Sequence, residues 1–196
     1  MQIEKYKIES HNESLLKAHR NKFEYCSAAI EKAESIVKKL IDFQVAIPSW
    51  ALGTGGTRFG RFSGGGEPRN LEEKIEDIGL LHALNKSSGA ISLHIPWDIP
   101  ENPVHIKALA AQHGLQFDAM NSNTFQDQPN QQLSYKFGSL QNVNKAIRQQ
   151  AINHNIEVIP YGEQLGSTAA TVWLSDGSFC PGQLNFREAY QHTGSG

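Results

Sequence analysis

Four times in this chain, a stretch whose apolar residues recur at helical spacing gives way to a short apolar run of strand character. Ser27–Leu40 places Ile30, Ala33, Val37 and Leu40 on one helical face, and FQVAIPSW, Phe43–Trp50, follows as a strand cut off by Pro48. Leu71–Leu84 repeats the pattern with Ile75, Ile78, Leu81 and Leu84, ahead of AISLHI. A third helix is predicted over Pro103–His113, stopped by Gly114, ahead of LQFDAM. The fourth is predicted from near Leu140, with Ala146, Ile147, Ala151, Ile152, Ile156 and Ile159 along one side, ahead of AATVWL. Pro160 should bend or end that helix, although Gly162 and Leu165 prolong the pattern.

Such alternation implies an α/β protein whose parallel strands are joined by right-handed helical crossovers. A doubly wound sheet and a (β/α) barrel both fit the order. The barrel is favoured because the long loops and the unusual side chains follow the C-terminal ends of strands, where barrel enzymes keep their chemistry. A full barrel takes about 250 residues and eight strands. The predicted fold is therefore a partial (β/α)8 TIM barrel, roughly the first four β/α units, in a chain of 196 residues.

Composition removes several functions. A formal charge of −2, with Lys and Arg thinly spread, leaves no footprint for nucleic acid or an anionic membrane. No apolar run approaches the roughly 20 residues of a membrane span, and MQIEKYKIESHNES lacks the apolar stretch of a signal peptide, so the cytoplasm is the expected compartment. Cys26 and Cys180 share no metal or redox spacing. The glycine-rich stretch Gly53–Gly66 contains GTGGTRFG, but it lacks the ending of a P-loop, and Arg58 occupies the third Rossmann glycine position. It is expected to be a flexible loop whose Arg58, Phe59, Arg61 and Phe62 fold over a pocket or pack on a neighbour.

The strand ends present Trp50, then His94 with Trp97 and Asp98, then Asn121, Asn123 and Phe125, then Trp173 with Asp176. Flat rings cover the apolar face of a sugar while His, Asp and Asn satisfy its hydroxyls, so this inventory suits a monosaccharide or polyol. Taken singly, each tryptophan reads better as a cap on the barrel core, and His94 as a satisfied interior histidine. Their shared position at one rim favours the binding reading. His94 can pass a proton between sugar oxygens near neutral pH, with Asp98 either orienting its imidazole or capping the following helix. His82, His105, His113 and His154 fall in helical segments at solvent-facing or mixed positions. No carboxylate and histidine set with metal-ligand spacing is visible.

The strings IPSWALGTGGTRFGRF, ISLHIPWDIP, FDAMNSNTFQDQ, SYKFGSL and TVWLSDGSFCPGQLNFREAY resemble the N-terminal half of bacterial L-rhamnose isomerase of the non-enteric type, in the xylose isomerase-like barrel superfamily. The resemblance runs from about Phe43 through Gln191 and implies three segments. Residues 1–42 would be an N-terminal helical extension, 43–191 the first half of the barrel, and 192–196 a truncated or artificial tail. It implies aldose-ketose isomerisation, L-rhamnose to L-rhamnulose, in a cytoplasmic homotetramer with two Mn²⁺ per site. Trp50, His94, Trp97, Phe125 and Trp173 would line the sugar pocket, with His94 catalysing ring opening, and Phe59 would cover a site, its own or that of an adjacent subunit. The family's metal ligands come from later strands, so none is expected within this chain, and the chain alone is expected to be inactive or nearly so. The alternatives are a ketose 3-epimerase of the same superfamily and a non-catalytic half barrel that binds sugar or assembles with another chain.

Overall fold

The computed structural model describes residues 3–27, 33–53, 55–57, 60–62, 64–128, 130–175 and 180–194. The chain opens with two helices, α1 (Lys5–Ser27) and α2 (Ala33–Ile41). The strand and helix units follow: β1 (Ala46–Pro48), α3 (Leu71–Asn85), β4 (Ala90–Ile95), α4 (Pro103–Gln112), β5 (Gln116–Thr124), α5 (Lys145–Leu165) and β6 (Ala170–Leu174). Between β1 and α3 lie two short strands paired antiparallel, β2 (Gly55–Thr57) and β3 (Gly60–Phe62), where the sequence suggested a flexible loop. Helix α6 (Phe186–Gly194) ends the described chain and takes in residues 192–194, which the resemblance implied to be part of a tail.

Strands β1, β4, β5 and β6 form one sheet in that spatial order, and every pairing is parallel. The order runs in one direction without the reversal of a doubly wound sheet. Helices α3, α4 and α5 pack side by side. Alternation along β4 explains the layering, because Ile91, Leu93 and Ile95 point one way and Ser92 and His94 the other. The first set joins Ile75 and Ile78 of α3, Ile106 and Ala110 of α4, and Val158 and Leu165 of α5 in one buried core. The opposite face is polar, with the Ser92 hydroxyl donating to Asp118 at 3.0 Å.

Local chemistry places the helix starts. Asn70, Asn102 and Asn144 accept the N–H of Glu73, His105 and Ala146 respectively, which satisfies donors that a helix leaves open at its first turn. Pro103 follows Asn102, where its missing N–H costs nothing. Helix α5 closes on Gly166 at φ 86°, a left-handed position that glycine takes without strain.

Three expectations give way. Strand β5 runs four residues past LQFDAM, because Asn121, Ser122, Asn123 and Thr124 are buried and hydrogen-bonded rather than looped out. Helix α5 starts at Lys145 and passes through Pro160 without ending. It also buries a different face: Ala151, His154, Val158, Gly162 and Leu165 turn inward, while Ile156 and Ile159 stay 59% and 50% exposed. That rotation brings His154 and Asn155 to Asn123 and Ser122, polar groups that need partners once buried. It also sets Gly162 against Met120, where an added Cβ would come to 3.0 Å of Met120 Cγ. His154 is thus a core residue at 8% exposure, not a solvent-facing one.

Candidate active site

Each of the four strands delivers an aromatic ring to the same end of the sheet. Trp50 sits in the 3-10 turn Ser49–Ala51 directly after β1. His94 is the penultimate residue of β4, whose Ile95–Pro96 peptide is cis. The next turn folds back on His94, whose carbonyl accepts the N–H groups of Trp97 and Asp98, each at 3.0 Å. Phe125 follows β5, and Trp173 is the penultimate residue of β6.

The rings form one continuous series. Trp50 meets His94 edge-on with centroids 5.1 Å apart, and Trp97 meets it from another side at 4.7 Å. Phe125 lies parallel to His94, 6.1 Å away with 9° between the planes. Trp173 meets Phe125 at 5.8 Å. His94 and Trp97 are half-buried, while Trp50 and Trp173 remain 43% and 45% exposed, so a solute can reach their faces. The structure thus brings together five of the six substrate-binding residues expected from the sequence. Phe59, the sixth, lies outside the described residues, as does Asp176.

The register explains the convergence. Strand β4 advances two residues from Ile91 to Leu93 while its partner β5 advances three, from Phe117 to Met120. This one-residue irregularity keeps Phe117 and Met120 both in the core and sets Asn121 beside His94. The Asn121 amide donates to the Leu93 carbonyl at 3.0 Å, and its oxygen accepts the Trp173 indole N–H at 3.1 Å. One buried amide therefore ties three strands beneath the rings.

Asp98 takes neither of the expected roles in simple form. The cap of α4 is Asn102. Asp98 is only 2% exposed, and at His94 it holds the backbone N–H, at 2.8 Å. The same carboxylate accepts the Ser49 hydroxyl and the Lys74 ammonium, the latter at 2.6 Å. No short sequence spacing signals this cluster. His154 is a second residue that the sequence did not mark: its Nε2 accepts the Asn123 N–H at 3.2 Å, directly behind the β5 end. Burial pushes its imidazole below the ordinary value of 6.5, against the opposing pull of Glu157 and the Ile95 backbone.

The donor set does not fit a divalent ion. Both Asp98 oxygens are taken by hydrogen-bond donors, and the rim is aromatic and amide-rich. Among the described residues, no three His, Cys, Asp or Glu side chains converge in a way that could hold a metal.

The chain is similar to curated sugar isomerases. It is 52% identical over 158 residues to a probable sugar isomerase of Mesorhizobium japonicum, a match covering 81% of this chain and 36% of that protein. It is 51% identical over 158 residues to a probable sugar isomerase of Rhizobium meliloti, covering 81% of this chain and 37% of that one. The chain thus spans little more than a third of the length of these relatives. No family model matches it. Among the described residues, no helix is long and apolar enough to cross a membrane.

Proposed function

We propose that this chain forms the substrate-side wall of a sugar isomerase, built as the first four units of a (β/α)8 barrel and acting on L-rhamnose and L-rhamnulose. The observation that carries the reading is the unbroken series Trp50, Trp97, His94, Phe125 and Trp173, drawn from four successive parallel strands. Indole and phenyl faces match the C–H faces of a pyranose, and the low-dielectric wall strengthens each polar contact made against it. The single-direction strand order and the similarity to probable sugar isomerases support the barrel and the substrate class.

In this reading His94 opens the ring. Its imidazole takes the proton of the anomeric hydroxyl and returns one to the ring oxygen as the C1–O5 bond breaks, which leaves the open-chain aldehyde. The tryptophans exclude water from that aldehyde. The transfer of hydrogen between C1 and C2 falls to groups outside the described residues. Phe59 is proposed to cover a site, and assembly as a homo-oligomer is part of the same reading.

Tryptophan fluorescence tests the proposal directly, because the rings that would bind sugar are the reporters. Titration of the purified chain with L-rhamnose should give saturable quenching that Trp97→Ala removes. A linear response, or saturation unchanged by both Trp97→Ala and Trp50→Ala, would exclude a sugar site at this rim. A ketose with hydroxyls of different configuration, titrated alongside, reads the preference between isomerase and epimerase substrates.

A further inference from the structure

Behind the rings, three polar residues meet in a place where packing alone would favour apolar ones. Asp98 is 2% exposed and Lys74 of α3 is 13% exposed, yet their charged ends lie 2.6 Å apart. Ser49, which is fully buried, completes the cluster by donating its hydroxyl to the same carboxylate. A buried ion pair is weak evidence for stability, since well-packed apolar residues of similar volume often serve as well or better. What such a pair can fix is register.

Register is what the rim lacks. The β1–β4 ladder pairs Ala46 with Ala90, Ile47 with Ile91 and Pro48 with Ser92, and it ends there, before either Trp50 or His94. Beyond that point the Asp98 carboxylate bridges the two strand ends: it accepts the hydroxyl of Ser49, whose neighbour is Trp50, and the N–H of His94. Asp98 is itself the neighbour of Trp97. One carboxylate therefore links the backbones that carry three rings, and Lys74 anchors it to helix α3 while balancing its charge.

We propose that Ser49, Lys74 and Asp98 are positioning residues that set the spacing of Trp50, His94 and Trp97, so that the ion pair serves the geometry of the binding rim and not the stability of the fold. The inference rests on the sugar-site reading only for the identity of the ligand. The rings' arrangement can be read without any ligand.

The test replaces the cluster by apolar residues in the full chain, Ser49→Ala with Lys74→Met and Asp98→Leu, and measures three quantities. Far-ultraviolet circular dichroism and thermal unfolding report the fold. Near-ultraviolet circular dichroism reports the coupling of the tryptophans to their ring neighbours. L-rhamnose titration reports binding. The expected result is a folded chain whose melting temperature falls by no more than the few degrees that the unpaired His94 N–H costs, most of the near-ultraviolet tryptophan signal lost, and L-rhamnose affinity reduced about tenfold or more. A folded variant with an unchanged near-ultraviolet spectrum and unchanged affinity would overturn the assignment. Should the triple variant not fold, Ser49→Ala alone frees only the β1 end. It should diminish the part of the signal that Trp50→Phe removes, and an unchanged Trp50 contribution would count against the proposal. If the parent chain binds no L-rhamnose but the triple variant still loses its near-ultraviolet signal, the sugar reading fails and the positioning role stands.

Discussion

The indole N–H of Trp173 donates to the side-chain oxygen of Asn121 at 3.1 Å, which joins the exposed edge strand to the middle of the sheet below the ring series. Asn121 is 4% exposed, so its oxygen has little access to water if the indole is removed. Trp173→Phe keeps a ring against Phe125 but leaves that oxygen unpaired. Leaving a buried acceptor unsatisfied should cost about 1–2 kcal/mol, readable as a lower urea midpoint with unchanged slope. Made in an Asn121→Ala background, Trp173→Phe should cost less than it does in the parent, because the acceptor it would strand is already gone.

The buried His154 gives the fold a pH dependence. Its Nε2 acts as an acceptor for Asn123, so the folded state favours the neutral ring, and burial lowers its pKa from 6.5. A folded pKa below the unfolded one means that the unfolded chain binds more protons in the interval between the two. This contribution to stability is therefore complete above about pH 6.5 and is lost as pH falls from there toward the folded pKa. His82, also lowered by burial and by nearby Lys86, acts in the same direction. Urea midpoints at about pH 7.5 and about pH 5.5 should differ less in His154→Gln than in the parent, with His82 supplying the remaining difference. An unchanged pH difference in His154→Gln would show that His154 does not set it.

The strands and the rim were legible in the sequence, because apolar runs bounded by Pro and Gly mark them and tryptophan is conspicuous. AISLHI is strand β4 residue for residue. What escaped reading depends on partners far away in the chain. Asp98 finds Ser49 and Lys74 at separations of 49 and 24 residues, so its local spacing to His94 suggested only an imidazole partner or a cap. The buried face of α5 escaped because a histidine inside the core reads as polar, while Ile156 and Ile159 read as apolar although they face outward. The last four residues of β5 looked like loop for the same reason: their burial depends on His154, Asn155 and the β6 backbone.

Gly79 of α3 lies against His113, the residue that caps α4. It is buried, and a Cβ added there would lie 2.6 Å from the His113 ring. The near atoms belong to the base of the side chain, so the clash cannot be relieved by moving a flexible end. Gly79→Ala should destabilise the fold by about 1–3 kcal/mol through overpacking, despite the roughly 1 kcal/mol by which alanine improves helix propensity. His113→Ala in the same chain should return most of the loss. Urea unfolding of the two single variants and the double variant measures this coupling, and additive effects would place the contact elsewhere.

Phe125 is the link between the two halves of the ring series, parallel to His94 on one side and tilted against Trp173 on the other. Leucine at this position would retain an apolar side chain but present no flat face and no quadrupole to either neighbour. Each aromatic pair is worth about 0.5–1.5 kcal/mol beyond burial, so Phe125→Leu should lower stability modestly. Its effect on the rim should be larger in kind, because without the bridging ring the Trp173 face and the His94 group no longer form one wall. Affinity for L-rhamnose should fall about threefold to tenfold, while the Trp97-dependent part of the fluorescence response remains. Equal losses of stability and no change in affinity would mean that Phe125 packs the sheet end without shaping the binding surface.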